Sequence, residues 1–198
     1  LLFLGAGCII HAVHSNEMST MGGLRKYMPV THITFLIACL AISGIWPFSG
    51  FFSKDEILTA CFRFSPVMGW IMTGIAAMTA FYMFRLYYGI FWGTENKTLH
   101  AAHTPHEAPL TMTFPLLFLA AVTCVAGFIP FGNLISSNGE AYTIHLDMQV
   151  ATTSIIIALL SIGLATWMYA GPKQPVADKL AHTFSRLHTA AYHRFYID

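Results

Sequence analysis

Five stretches of the chain contain no Asp, Glu, Lys or Arg: residues 1–16, 27–53, 64–84, 108–139 and 148–172. Four of them exceed the ~18–20 residues that a helix rising ~1.5 Å per residue needs to cross a ~30 Å hydrocarbon layer. An ordinary soluble domain carries about 25% charged residues; here they make up 10% of 198 residues, against 56% hydrophobic ones. Mean hydropathy is +0.60. The pattern predicts an all-α, polytopic transmembrane helix bundle. Its first stretch opens Leu1-Leu2-Phe3-Leu4 with no initiator Met and no basic flank, which reads as the middle of a helix in a longer protein rather than as a signal peptide.

Several function classes are excluded by what the chain lacks. Ten Lys and Arg against nine Asp and Glu leave a net charge of +1, too little for a nucleic-acid footprint. Cys8, Cys39, Cys61 and Cys124 stand far apart, each in or beside an apolar span. That spacing argues against an iron–sulfur cluster, a zinc site or a disulfide framework, and for buried thiols. No Gly-rich nucleotide loop follows a strand, and Gly5-Ala6-Gly7 lies inside an apolar helix, where small residues let helices approach closely. Redox cofactors are therefore not expected in this chain.

The spans are predicted near 1–14, 30–63, 67–92, 110–131 and 148–170. Pro29 suits a first helical turn. The second span is expected to break, because Gly44-Ile45-Trp46-Pro47-Phe48-Ser49-Gly50 places two glycines and a proline within seven residues. Helix is expected to resume at Ser53, with Ser53 as N-cap, acids in the first turn and Glu56 closing a capping box. Residues 1–172 thus form the bundle. Within 173–198, Val176, Leu180, Phe184, Leu187, Ala191 and Phe195 recur at helical spacing, which predicts one amphipathic helix over 176–195 lying along the membrane surface. If the spans alternate, one side carries Arg25, Lys26, Lys97, Lys173, Lys179, Arg186 and Arg194, and the other Arg63 with Glu140 and Asp147. The basic side is then cytoplasmic.

Lys54 is the charge that should not be there. Nine helical residues separate it from Arg63 at the far surface, which puts it about 14 Å deep, near the middle of the hydrocarbon layer. Such residues usually face a polar interior and serve ion or proton traffic. Desolvation disfavours an ammonium and a neighbouring carboxylate favours it, so a group held between these influences can take up and release a proton. Unwound backbone at 44–52 needs water or protein partners, and broken membrane helices commonly line ion pathways. The plainer alternative has Lys54 snorkelling to the surface, with Asp55 and Glu56 merely stabilising a helix N-terminus; a stem of about 6 Å falls well short of that depth. Arg85, about 12–14 Å deep by the same counting, either pairs with Asp55 or Glu56 and tunes Lys54, or is only the counter-charge that makes those acids tolerable.

His11, His14 and His32 lie at the cytoplasmic ends of the first two spans, and imidazole suits proton relay, although a histidine satisfied by one hydrogen bond fits His14 and His32 as well. His100, His103 and His106 invite a metal assignment, but Pro105 and Pro109 spoil a helical face and no acid or cysteine completes a shell. They read as solvated loop. His182, His188 and His193 fall at no ligand spacing.

Two strings, Met21-Gly-Gly-Leu-Arg-Lys-Tyr-Met-Pro29 and Gly50-Phe-Phe-Ser-Lys-Asp-Glu-Ile-Leu58, resemble the largest antiporter-like membrane subunit of respiratory complex I, called subunit L in bacteria and NADH dehydrogenase subunit 5 in mitochondria. The resemblance implies a proton-translocating subunit in the distal membrane arm, with Lys54 as the terminal proton-accepting lysine and Asp55 and Glu56 beside it. It implies that His11 and Arg85 match positions near a polar axis, and that the chain after 176 leads into a long lateral helix. A sister antiporter-like subunit, the lipid bilayer and protons are the implied partners, in the inner membrane of a bacterium. NADH, FMN, iron–sulfur clusters and quinone are implied in other subunits. Family members carry a His-x-x-x-His-x-x-x-Lys run upstream of the position of Leu1, so these residues hold one end of the relay. A cation/proton antiporter subunit would use the same lysine without redox coupling, and a structural scaffold would hold Lys54 and Arg85 in satisfied ion pairs.

Overall fold

The computed structural model describes residues 1–94, 105–129, 147–171 and 175–193. The regular structure among them is helical: α1 is Leu2–Val13, α2 Pro29–Ser43, α3 Ser49–Phe64, α4 Pro66–Phe91, α5 Leu110–Val125, α6 Met148–Tyr169, α7 Pro175–Thr183 and α8 Ser185–Tyr192. Three helical stretches, Pro66–Phe91, Leu110–Phe128 and Met148–Tyr169, are long and apolar enough to cross a membrane, and α1 and α2 are shorter apolar helices. Large side chains such as Phe3, Trp70, Phe118 and Trp167 point outward, as a bundle solvated by lipid allows. The chain is an integral membrane helical bundle, as its charge-free stretches predict.

The break in the second span falls where two glycines permit it. Gly44, at φ 77°, ends α2, with its N–H bonded to Ala41 O at 3.0 Å and the Ile45 N–H bonded to Leu40 O at 3.2 Å. This is a Schellman closure, whose left-handed residue carries no Cβ penalty when it is glycine. The chain then steps sideways and starts α3 against the flank of α2. Gly50 lies on the Ala41 carbonyl, and a Cβ built at Gly44 would stand 2.9 Å from the Lys54 Cδ. Positions 41 and 44 thus pair with 50 and 54 in rising order, so α3 continues in the direction of α2.

Helix α4 shows the same thing independently. His32 meets Tyr87, Phe35 meets Phe91 and Cys39 meets Met83, while Phe62 on α3 meets Trp70. The start of α2 meets Tyr87 and Phe91, its later part Met83 and the end of α3 Trp70, so the 26 residues of α4, about 39 Å long, run antiparallel to both halves. Helix α6 packs along α4 through Ala151, Ala158 and Ala165, buried at seven-residue spacing. Small side chains there let the backbones approach closely. Ile9, Val13, Leu24, Phe35, Cys39, Met83, Phe84, Tyr87, Ile90, Phe91 and Ala165 make the larger apolar core.

Three local expectations are corrected. Helix α3 begins at Ser49, not Ser53: its N-cap is Phe48, no acid falls in its first turn, and the Ser53 hydroxyl donates back to Gly50 O at 3.3 Å. The Ser-x-x-Glu signature is overridden because Gly50 must be helical to seat against Ala41. Over 176–193 there are two short helices in place of one, interrupted at Phe184 (φ −103°, ψ 38°). The Thr183 hydroxyl bonds Lys179 O at 2.9 Å, a back-bond that bends helices. Cys8 and Cys39 are buried thiols, whereas Cys61 and Cys124 are half-buried. His100, His103, Lys97, Lys173, Glu140 and Arg194 lie outside the described residues.

The start of α2 is held by a residue far away in sequence. Glu107 Oε2 accepts from the Val30 N–H at 2.8 Å and the Thr31 N–H at 3.4 Å, and Oε1 accepts from the buried Thr31 hydroxyl at 2.6 Å. A carboxylate thus satisfies two of the orphan amides behind Pro29 and meets the positive end of the helix dipole. Glu107→Ala is expected to lower stability by about 1–2 kcal/mol, read as an earlier thermal transition of the full-length protein. Glu107→Gln, which keeps one acceptor oxygen, loses less. Equal transitions for wild type and Glu107→Ala would show that the cap contributes nothing.

Candidate functional site

Lys54 occupies the place where α2 stops and α3, α4 and α6 close around the gap. It lines a small cleft with Ser43 and Gly44 of α2, Thr73 and Ala77 of α4, and Ser154 of α6. The space admits about one water. Ten residues separate Lys54 from the end of α3 at Phe64, about 15 Å. Ser154 lies six residues, about 9 Å, into an α6 about 33 Å long. Both distances place the cleft within the length of the helices, nearer the ends opposite Arg25 and Lys26.

The polar atoms here are buried and unpaired. Ser43 Oγ, Lys54 Nζ, both Asp55 carboxylate oxygens, Glu56 Oε1 and Thr59 Oγ1 have no hydrogen-bond partner among the described residues. Asp55 is 1% exposed and Ser43 3%. Helix geometry explains why Lys54 and Asp55 do not quench each other, since neighbours in sequence point about 100° apart on a helix and do not face one another. Lys54 turns into the cleft, whereas Asp55 is under the electrostatic influence of Asp147, the N-cap of α6, and of Glu56. Buried polar groups are normally satisfied. Two of these exceptions, Ser43 Oγ and Lys54 Nζ, line the cleft beside the helix break, and the others lie further along α3.

The other predicted residues are placed elsewhere. Arg85 does not meet Asp55 or Glu56: its guanidinium lies 5.5 Å over the ring of Tyr169, the last residue of α6, and its side chain is exposed. It stands six residues, about 9 Å, from the end of α4 and level with the last residue of α6, toward the end of the bundle where Arg25 meets Trp92. His32 Nε2 is 2.7 Å from Tyr87 OH, with the rings stacked at 5.6 Å. Trp92 Nε1 donates to the same hydroxyl at 3.3 Å, and the Arg25 guanidinium lies 4.0 Å over Trp92. His11 and His14 pair at 6.1 Å between rings, with His11 exposed. Between these histidines and Lys54, along α2 and α4, stand Phe35, Cys39, Met83 and Phe84. Ser43, Thr73 and Ser154 escape a sequence reading because hydroxyls inside apolar helices carry no local signal; only the packing of three helices brings them to Lys54.

Fold and site define a polytopic helical membrane protein built around a buried amine at a broken span. Residues 1–80 match the sequence profile of the family described as NADH:quinone oxidoreductase/Mrp antiporter, TM. Over the whole chain, the NAD(P)H-quinone oxidoreductase chain 5 of Picosynechococcus sp. is 39% identical and that of Synechocystis sp. 34%, the aligned part being 36% and 37% of their own lengths. The chloroplastic NAD(P)H-quinone oxidoreductase subunit 5 of Chaetosphaeridium globosum is 43% identical over 86% of this chain and 30% of its own. The chain belongs to this family of antiporter-like membrane subunits of NADH:quinone oxidoreductase, and it spans about a third of the length of the curated relatives it matches.

Proposed function

We propose that this chain is part of a proton-translocating subunit of a membrane-bound NADH:quinone oxidoreductase, and that Lys54 is the group that takes up and releases the proton. The observation that carries the proposal is the buried Lys54 Nζ, without a partner among the described residues, in a cleft beside the helix break to which Ser43, Thr73 and Ser154 bring hydroxyls. Redox energy released elsewhere in the complex alters the charge around Lys54, and the proton leaves on the side of Asp55 and Glu56. Moving one charge against 100 mV takes about 2.3 kcal/mol, and one pKa unit is worth about 1.4 kcal/mol, so a swing of a few units suffices. His32, His11 and His14 would serve the opposite end, reaching Lys54 only through groups beyond the apolar layer of Phe35, Met83 and Phe84. NADH, FMN, iron–sulfur clusters and quinone belong to other subunits, a sister antiporter-like subunit is the neighbour, and the inner membrane of a bacterium is the setting. The names of the relatives favour redox coupling over cation/proton exchange.

The test uses the full-length subunit in the assembled complex, reconstituted into vesicles and driven by NADH and quinone. Lys54→Ala is expected to abolish the proton flux through this subunit while the complex still assembles. Lys54→Arg, which keeps the charge but does not deprotonate, is expected to fail equally. Proton flux unchanged in Lys54→Ala would support a purely structural lysine.

A further inference from the structure

The three hydroxyls lining the Lys54 cleft are not equivalent. Thr73 Oγ1 donates its hydrogen to Gly69 O at 2.8 Å, and Ser154 Oγ donates to Ala151 O at 3.0 Å. Both turn only lone pairs toward the cleft. They can accept from an ammonium and can offer nothing to a neutral amine, which needs a donor for its own lone pair. Ser43 differs. Its Oγ is buried and has no bond partner among the described residues, at the last residue of α2, next to the glycine on which the Lys54 stem lies. A hydroxyl holds one donor and two acceptor sites, so Ser43 alone in the cleft can reverse its role as the amine changes state.

We propose that Ser43 is a positioning residue that sets the proton affinity of Lys54, accepting a hydrogen bond from the ammonium side and donating one toward the neutral amine across a single water held in the cleft between them. This rests on the proposed proton exchange at Lys54. No titratable or charged side chain from α2, α4 or α6 lines the cleft among the described residues; the charges nearest Lys54 are Asp55 and Glu56 on its own helix, with Asp147 acting on Asp55. The hydroxyl is therefore the adjustable polar neighbour. A hydrogen bond to a charged group is about twice as strong as one between neutral groups, so removing the hydroxyl weakens the ammonium state more than the neutral one.

Proton translocation by the assembled, reconstituted complex, measured against pH, tests this. Ser43→Ala is expected to move the alkaline limb of the profile about half to one pH unit toward acid, a threefold to tenfold change in proton affinity. Ser43→Cys, which keeps the volume but bonds weakly, is expected to move it less in the same direction, and carries the measurement should the alanine variant assemble poorly. An unmoved profile in these variants, with Lys54→Ala abolishing flux in the same assay, overturns the role of Ser43 alone. Flux intact in Lys54→Ala overturns the lysine exchange and this inference together.

Discussion

Gly50→Ala is expected to prevent normal assembly of the subunit, although it adds a single methyl group. The new Cβ would fall inside the contact distance of the Ala41 carbonyl oxygen, and the flexible end of a side chain is not what it meets. That carbonyl already accepts the Gly44 N–H in the closure of α2, so neither partner can give way without opening the turn. Overpacking of this kind costs about 1–3 kcal/mol where side chains can move, and the upper end or beyond applies where backbone must. Since marginal stability governs cellular abundance, a loss of about 3 kcal/mol should lower the assembled level of the complex by an order of magnitude or more. Quantitative blotting of isolated membranes measures it. Gly74→Ala and Gly163→Ala are the controls, because a Cβ at either position meets nothing within 4 Å. Normal levels of Gly50→Ala would mean that α3 does not lie against α2 as described.

Asp55→Val is expected to stabilise the protein and disable it. The carboxylate is almost wholly buried and neither oxygen has a partner among the described residues. Taking such a group out of water costs several kcal/mol, and replacing buried charges by apolar side chains of similar size is often stabilising by about 1–4 kcal/mol. The thermal transition of the variant complex should therefore rise while NADH-driven proton flux falls at least tenfold. Stability retained only at the expense of function marks a residue kept for what it does. A lower transition in Asp55→Val would show instead that a group outside the described residues satisfies the carboxylate in the assembled complex.

The helices and the break between α2 and α3 were readable from the sequence because each has a one-dimensional signature. Charge-free length gives the apolar helices, Pro29 marks the start of α2, and Gly44 with Pro47 marks the interruption. What escaped is tertiary. The start of α3 shifts four residues because Gly50 is needed inside the helix, a demand that only Ala41 explains. Glu107 lies 76 and 77 residues from the groups it caps, with no local pattern to announce it. Arg85 finds Tyr169 at the end of a neighbouring helix in place of Asp55 or Glu56, a pairing that depends on how α6 lies along α4 and has no local signature.

The layer of Phe35, Cys39, Met83 and Phe84 has a further consequence. A membrane that stores an electrochemical gradient discharges through any continuous file of water, and hydrated ions do not enter close-packed aromatic and thioether side chains. If Lys54 exchanges protons as proposed, this layer along α2 and α4 would stand as a dielectric stop between the amine and the end that carries Arg25. Enlarging it would insulate better, and threading a carboxylate through it would short the battery.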